Sequence, residues 1–157
     1  MEEITFTSIG RVRCEFREPR ELEFACELGL KCSAVSEIIL DPEFKTGLEG
    51  LQHFSHAFVL FHIHKVAKTE LKTYPAPLSI KHLQPVGVFA SRSQYRPNPI
   101  GLRLVKILQV SKNRLVVEGL DAIDGTPVLD IKPYVPGFDR PAKVNTAVWY
   151  HWQNGQD

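Results

Sequence analysis

The sequence lacks most of what would carry a chain out of a reducing compartment or into a bilayer. It has three cysteines in 157 residues, Cys14, Cys26 and Cys32. They form no CxxC pair and no even framework, so the reading is reduced thiols in a cytoplasmic setting. The start, MEEITF, is acidic and poor in apolar residues, unlike a secretory signal. The longest apolar run, AFVLFHI, falls far short of the ~20 residues needed to span a bilayer, so no membrane partner is expected. Charge of neither sign dominates: 19 basic residues face 18 acidic ones, for a net charge of +1. A nucleic-acid partner would therefore have to be held by a local patch or by a symmetric pair of subunits, not by overall charge. Repeats, heptads, low-complexity tracts and linkers are also missing.

What is present is strand-forming sequence. A hydrophobic share of 43% supports one sizeable core, and one domain is expected over residues 1–157, with its core at about 4–140 and a tail at 141–157. ITFTSIGRVRCEF predicts one or two strands. ACELGLKCSAVSEIIL predicts a turn at Gly29 and a strand from near Ala34. HAFVLFHIHK, VGVFAS and PVLDIKPYV each predict a strand, the last with Pro133 at an edge or a bulge. LRLVKILQV, the turn SKN and RLVVEGL predict a hairpin. DPEFKTGLEGLQHFS carries a short helical spacing of Phe44, Leu48 and Leu51. Short strands without a βαβ rhythm predict a mainly β fold, a small barrel with one or two short helices.

Three stretches carry candidate chemistry. In SRSQYRPNPIG, residues 91–101, Pro97 and Pro99 restrict Arg96 and Asn98 and remove backbone donors. Asn98 then offers one acceptor and two donors on a stiff backbone, which suits a planar group bearing an amine, such as N6 of adenine. Gly101 admits the close approach of a ligand or a strand. The alternative is a rigid turn. In LDAIDGTPVLDIKPY, residues 120–134, Asp-Gly supplies a turn with a positive φ. Val128, Asp130, Lys132 and Tyr134 then alternate with Leu129, Ile131 and Pro133, giving a polar face whose Asp–Lys pair contributes little. Asp121, Asp124 and Asp130 lack EF-hand spacing, so no metal is expected. In FSHAFVLFHIHKV, His56, His62 and His64 share a parity, but no further zinc ligands stand at fitting spacings. REPRELEF, with Pro19, Arg20 and Glu21, reads as a charged surface loop.

Taken together, GVFASRSQYRPNPIGL, LDAIDGTPVLDIKPYVP and GLEGLQHFSHAFVLFHIH resemble the TsaA-like (TrmO) family over nearly the whole chain, from about Ile4 to Tyr134. The resemblance implies an S-adenosyl-L-methionine-dependent tRNA methyltransferase, acting on N6 of threonylcarbamoyladenosine at position 37 in the anticodon loop. It also implies a β-barrel and a homodimer. A Rossmann fingerprint is not required on such a fold. Carried over by motif, the cofactor contacts are Pro19, Arg20 and Glu21, then His64 and Lys65, then Arg92, and the loop Leu120, Asp121, Ala122, Ile123 and Asp124.

The candidate catalytic residues are Asn98 and Arg96. By analogy with Asn-Pro motifs of adenine-N6 methyltransferases on an unrelated fold, Asn98 and a backbone carbonyl would accept the two N6 hydrogens and aim the nitrogen. Methylation leaves that nitrogen a strong acid, so no catalytic triad is needed. Arg96, Arg103, Lys106, Trp149, Tyr150 and Trp152 are candidate RNA contacts, although the tail aromatics serve equally well in core or subunit packing. Two other readings stay open. A non-catalytic barrel of the OB type would need aromatics on an exposed basic strand face. A metal-dependent hydrolase would need a centre built on His62, His64 and the aspartates.

Overall fold

Alternation along the strands decides the architecture. In the computed structural model, which describes residues 2–27, 33–74 and 84–147, the elements in chain order are β1 (Gly10–Arg13), α1 (Pro19–Glu27), β2 (Val35–Leu40), β3 (His56–His62), β4 (Lys72–Thr73), β5 (Val86–Gly87), β6 (Ile100–Ser111), β7 (Arg114–Glu118), β8 (Pro127–Pro133) and the single turn α2 (Pro136–Asp139). Tight 3₁₀ turns stand at Pro42–Leu48, Leu51–His53 and Val88–Ala90. The chain divides into two units, Met1–Lys65 with Ile100–Tyr134, and Val66–Pro99 with Val135–Asp157.

The larger unit is a closed antiparallel barrel in the order β1-β2-β7-β6-β3-β8, with β8 returning to β1. β3 buries Ala57, Val59 and Phe61 and turns the residues between them outward, the period of two that a half-buried strand demands. Ile38, Val105, Leu115, Val117 and Val128 come in from the other strands to fill the interior. Closure gives every strand of the barrel a neighbour on both sides, the usual solution for a sheet this small. The mainly β barrel expected from the sequence is therefore present, as is the β6–β7 hairpin. Its turn is Lys112–Asn113, with Lys112 at φ 41°.

Several expectations need correction. Only Gly10–Arg13 of the first stretch is a strand; Ile4 and Phe6 are exposed. VGVFAS gives only two strand residues, Val86 and Gly87, before a 3₁₀ turn. REPRELEF is not a loop but runs into α1. The simple alternation along PVLDIKPYV also fails. Leu60 pairs with Asp130 but Phe61 with Val128, so Leu129 is an extra residue and the strand bulges there. The bulge resets the parity, and Val128 and Ile131 both reach the core. Pro133 ends β8 opposite Ala57, and Lys132 meets Asp130 at 2.7 Å on the surface. Gly29 lies outside the described residues.

In the smaller unit, β4 and β5 pair antiparallel, Lys72 with Gly87 and Thr73 with Val86. The chain at 66–71 runs beside 88–96: the Val88 amide donates to the Leu71 carbonyl at 3.0 Å and the Glu70 amide to the Tyr95 carbonyl at 2.9 Å.

Candidate functional site

Barrel register gathers three of the four cofactor segments expected from the sequence at one end. Val35 pairs with Glu118, Arg11 with Pro127, and His62 with Ile100. The last residues of β1, β3 and β7 therefore share an end with the first residues of β2, β6 and β8. From that end leave the β1–α1 segment with Pro19–Glu21, the turn after β3 with His64 and Lys65, and the β7–β8 loop with Leu120–Asp124.

The start of α1 explains the Pro-Arg-Glu order. Pro19 occupies the first helical position, where its missing N–H costs nothing. Glu21 Oε2 accepts the Arg17 amide at 2.6 Å and the Glu18 amide at 3.1 Å, the reaching-back half of a capping box. These two amides hold the Glu21 carboxyl below its usual range. Lys65 Nζ donates to the Arg17 carbonyl at 2.9 Å and pairs with Glu18 Oε1 at 2.6 Å, tying the turn after β3 to the segment that opens the helix. Arg20, next in line, is exposed.

The β7–β8 loop is built inward and pinned to the end of β1. Leu120, Ala122 and Ile123 are buried and serve as anchors, so only their backbone is available to a ligand. Gly119 (φ 86°) and Gly125 (φ 77°) supply the left-handed bends, and the Asp-Gly turn stands where the sequence placed it. Asp124 Oδ1 accepts the Cys14 amide at 3.2 Å, and the Asp124 amide donates to the Phe16 carbonyl at 2.6 Å. The Cys14 thiol reaches the Ala122 carbonyl at 3.4 Å, and Arg11 Nη1 donates to the Gly125 carbonyl at 3.2 Å. Burial pushes the Cys14 thiol above its usual pKa, which suits a donor. Sequence reasoning treated Cys14 only as an unpaired cysteine. The signal was its parity with Val12, which turns it toward the interior.

His64 is half-buried, and its Nδ1 is out of solvent without a hydrogen bond of good geometry among the described residues. Its pKa lies below the ordinary value, first because of desolvation and then through the positive charges of Lys65, His62 and Arg11. It is therefore a neutral imidazole at neutral pH, with one polar atom awaiting a partner. His62 is exposed at the end of β3, and His56 Nδ1 lies 2.9 Å from Ser55 Oγ. No group of three or more His, Cys, Asp or Glu side chains is arranged for a metal ion among the described residues.

The remaining segment, 91–99, belongs to the smaller unit, and the structure accounts for its stiffness. Ser91 Oγ donates to the Val88 carbonyl at 2.8 Å and accepts the Ser93 amide at 3.2 Å; Ser93 Oγ accepts the Tyr95 amide at 3.3 Å. Arg96 Nη1 donates to the carbonyls of Val88 and Ser91, both at 3.1 Å. Arg96 is thus a clamp within its own segment. Asn98 is exposed, and so is Arg92. Gly101 has a different reason from a ligand: a Cβ there would run into the Phe61 ring. Of the other candidates, Arg103 Nε donates to the Gly119 carbonyl at 3.1 Å, Lys106 is exposed on β6, and Trp149, Tyr150 and Trp152 lie outside the described residues.

Fold and site together define a small antiparallel barrel whose polar groups gather in end loops rather than at a strand–helix crossover. The family model for the tRNA-methyltransferase O N-terminal domain matches residues 13–140. An S-adenosyl-L-methionine-binding protein of Archaeoglobus fulgidus is 40% identical over 131 residues, covering 83% of this chain and 89% of its own. The tRNA (adenine(37)-N6)-methyltransferase of Homo sapiens is 39% identical over 133 residues, 83% of this chain and 30% of its own. The crystal structure of TrmO from Pseudomonas aeruginosa superposes with a TM-score of 0.71 at 33% identity, over 94% of this chain and 63% of that one. The chain belongs to the tRNA-methyltransferase O family. It spans less than two thirds of the Pseudomonas protein and less than a third of the human one.

Proposed function

We propose that the chain is an S-adenosyl-L-methionine-dependent methyltransferase acting on N6 of adenosine 37 of tRNA, with threonylcarbamoyladenosine as the base it modifies. One observation carries the reading: within a barrel of this family, the β1–α1 segment, the turn after β3 and the β7–β8 loop converge on one end. The donor set there fits the cofactor. Arg20 is an exposed guanidinium with no partner among the described residues, suited to a carboxylate. Asp121 and Asp124 are carboxylates for an ammonium and ribose hydroxyls, and the backbone of Leu120–Ile123 offers amides and carbonyls at a fixed distance from the core. His64 Nδ1 is one of two buried side-chain polar atoms without a hydrogen-bond partner among the described residues, Ser36 Oγ being the other. Pro19 and Glu21 shape the helix start and Lys65 holds it; Arg92, in the smaller unit, is a second guanidinium carried over by motif likeness.

When bound, the cofactor supplies a sulfonium-activated methyl group and its own leaving group. The protein's share is then positioning. N6 of threonylcarbamoyladenosine carries a single hydrogen; Asn98, fixed between Pro97 and Pro99 and two residues before β6 begins, accepts it through its side-chain oxygen and aims the nitrogen, which gives that proton up to water once it is methylated. Arg96 keeps that segment rigid through its two carbonyl contacts. An anticodon-loop base is unpaired and is presented at low cost. The homodimer implied by the family likeness has support in an outward apolar row, Ile100, Leu102, Leu104 and Leu108, along β6. The three cysteines fit a cytoplasmic enzyme.

The test is kinetic. Asn98→Ala lowers kcat by about two orders of magnitude, the cost of removing one preorganised polar group, while calorimetry finds cofactor affinity unchanged. An unaltered kcat makes Asn98 a turn residue only.

A further inference from the structure

Phe89 is a large aromatic ring left 77% exposed on a turn that is otherwise anchored. Val88, before it, is 1% exposed and Ser91, after it, 8%. The turn is locked by Ser91 Oγ on the Val88 carbonyl and by Arg96 Nη1 on the Val88 and Ser91 carbonyls. The Arg96 guanidinium lies 5.7 Å from the Phe89 ring centroid, within cation–π range. An exposed phenylalanine that stays hydrated gains nothing for the fold. One held rigidly, with a fixed cation beside it, is organised for a flat partner that carries negative charge nearby.

We infer that Phe89 is a stacking platform for an unpaired RNA base, with Arg96 beside it. This rests on the tRNA reading above and adds the residue that would grip a base of the substrate loop. An aromatic face is sequence-tolerant and takes any base, and arginine adds a cation–π contribution and favours the phosphate backbone. A ring of this kind covers ~150–250 Å², the size of a base contact and far below the ~800 Å² each partner contributes to a stable subunit interface.

The experiment measures binding of a synthetic anticodon stem-loop RNA by fluorescence anisotropy and of S-adenosyl-L-methionine by calorimetry, for wild type, Phe89→Ala, Phe89→Leu and Phe89→Trp. Wild type binds the RNA. Loss of one stacked base weakens binding by about 5- to 150-fold, so the alanine and leucine variants fall in that range, the tryptophan variant stays near wild type, and cofactor affinity is the same throughout. Leucine binding as tightly as tryptophan overturns stacking in favour of plain apolar contact. A drop in cofactor affinity assigns Phe89 to the cofactor instead, and a change of oligomeric mass by light scattering assigns it to a subunit contact; either outcome overturns the inference. If wild type binds no RNA, the tRNA reading fails, and this inference with it.

Discussion

At the residue scale, His64 has the sharpest chemistry. Its imidazole is half-buried beside Lys65 and near His62 and Arg11, with Nδ1 lacking a partner. Its partial desolvation disfavours the charged form, and the neighbouring Lys65 and Arg11 cations add to that, which is why its folded pKa sits below the ordinary 6.5. The sign follows: the unfolded chain takes the proton more readily, so the stability that a neutral His64 contributes is complete above pH 6.5 and is lost as pH falls through the lower folded value. A cofactor carrying ammonium and sulfonium charges is subject to the same sign. Affinity for S-adenosyl-L-methionine is expected to be flat above pH 6.5 and to fall on acidification below it, and His64→Gln should flatten that fall. Calorimetric titrations across pH check this, and an equal fall in the variant assigns the effect to another group. Motif likeness named His64 but not its neutrality, because neutrality depends on cations brought near by the barrel rather than by the sequence. Cys14 and Arg11 escaped notice for the same reason: both act on a loop more than a hundred positions away.

At the element scale, strands with strict alternation were legible and those without it were not. β3 falls within its predicted run, and the β6–β7 hairpin stands where it was predicted with β6 starting two residues earlier, at Ile100, because apolar period and turn chemistry agree there. The α1 stretch reads as a charged loop in sequence although it carries the start signal. Glu-Pro-Arg-Glu places proline at the first helical position and a carboxylate three residues beyond the cap, but its density of charge masked the signal. The β8 bulge at Leu129 was not visible, since a single extra residue leaves composition unchanged while reversing the faces. Gly101 gives the test at this scale. The Phe61 ring lies where a side chain at 101 would point, and Phe61 is buried in the core. Gly101→Ala must displace it, so chemical denaturation should find the variant less stable by about 1–3 kcal/mol, the usual cost of overpacking. An unchanged midpoint would mean that the ring shifts freely.

At the scale of the whole molecule, the barrel supplies a rigid end and the loops supply the chemistry. Closure in the order β1-β2-β7-β6-β3-β8 brings together segments from residues near 20, 64 and 122. Spacing along the sequence could not have disclosed that gathering; only the family likeness could. The near-neutral charge argues against binding of RNA by bulk attraction, so the proposed reading assigns recognition to local groups such as Phe89, Arg92 and Arg96. The most direct measurement of the central claim is mass spectrometry of nucleosides from tRNA incubated with the protein and S-adenosyl-L-methionine. The account predicts one added methyl group on the threonylcarbamoylated adenosine of position 37 and none on tRNA carrying another base there. Cofactor binding with no methyl gained at that nucleoside, or a methyl placed elsewhere, would contradict it.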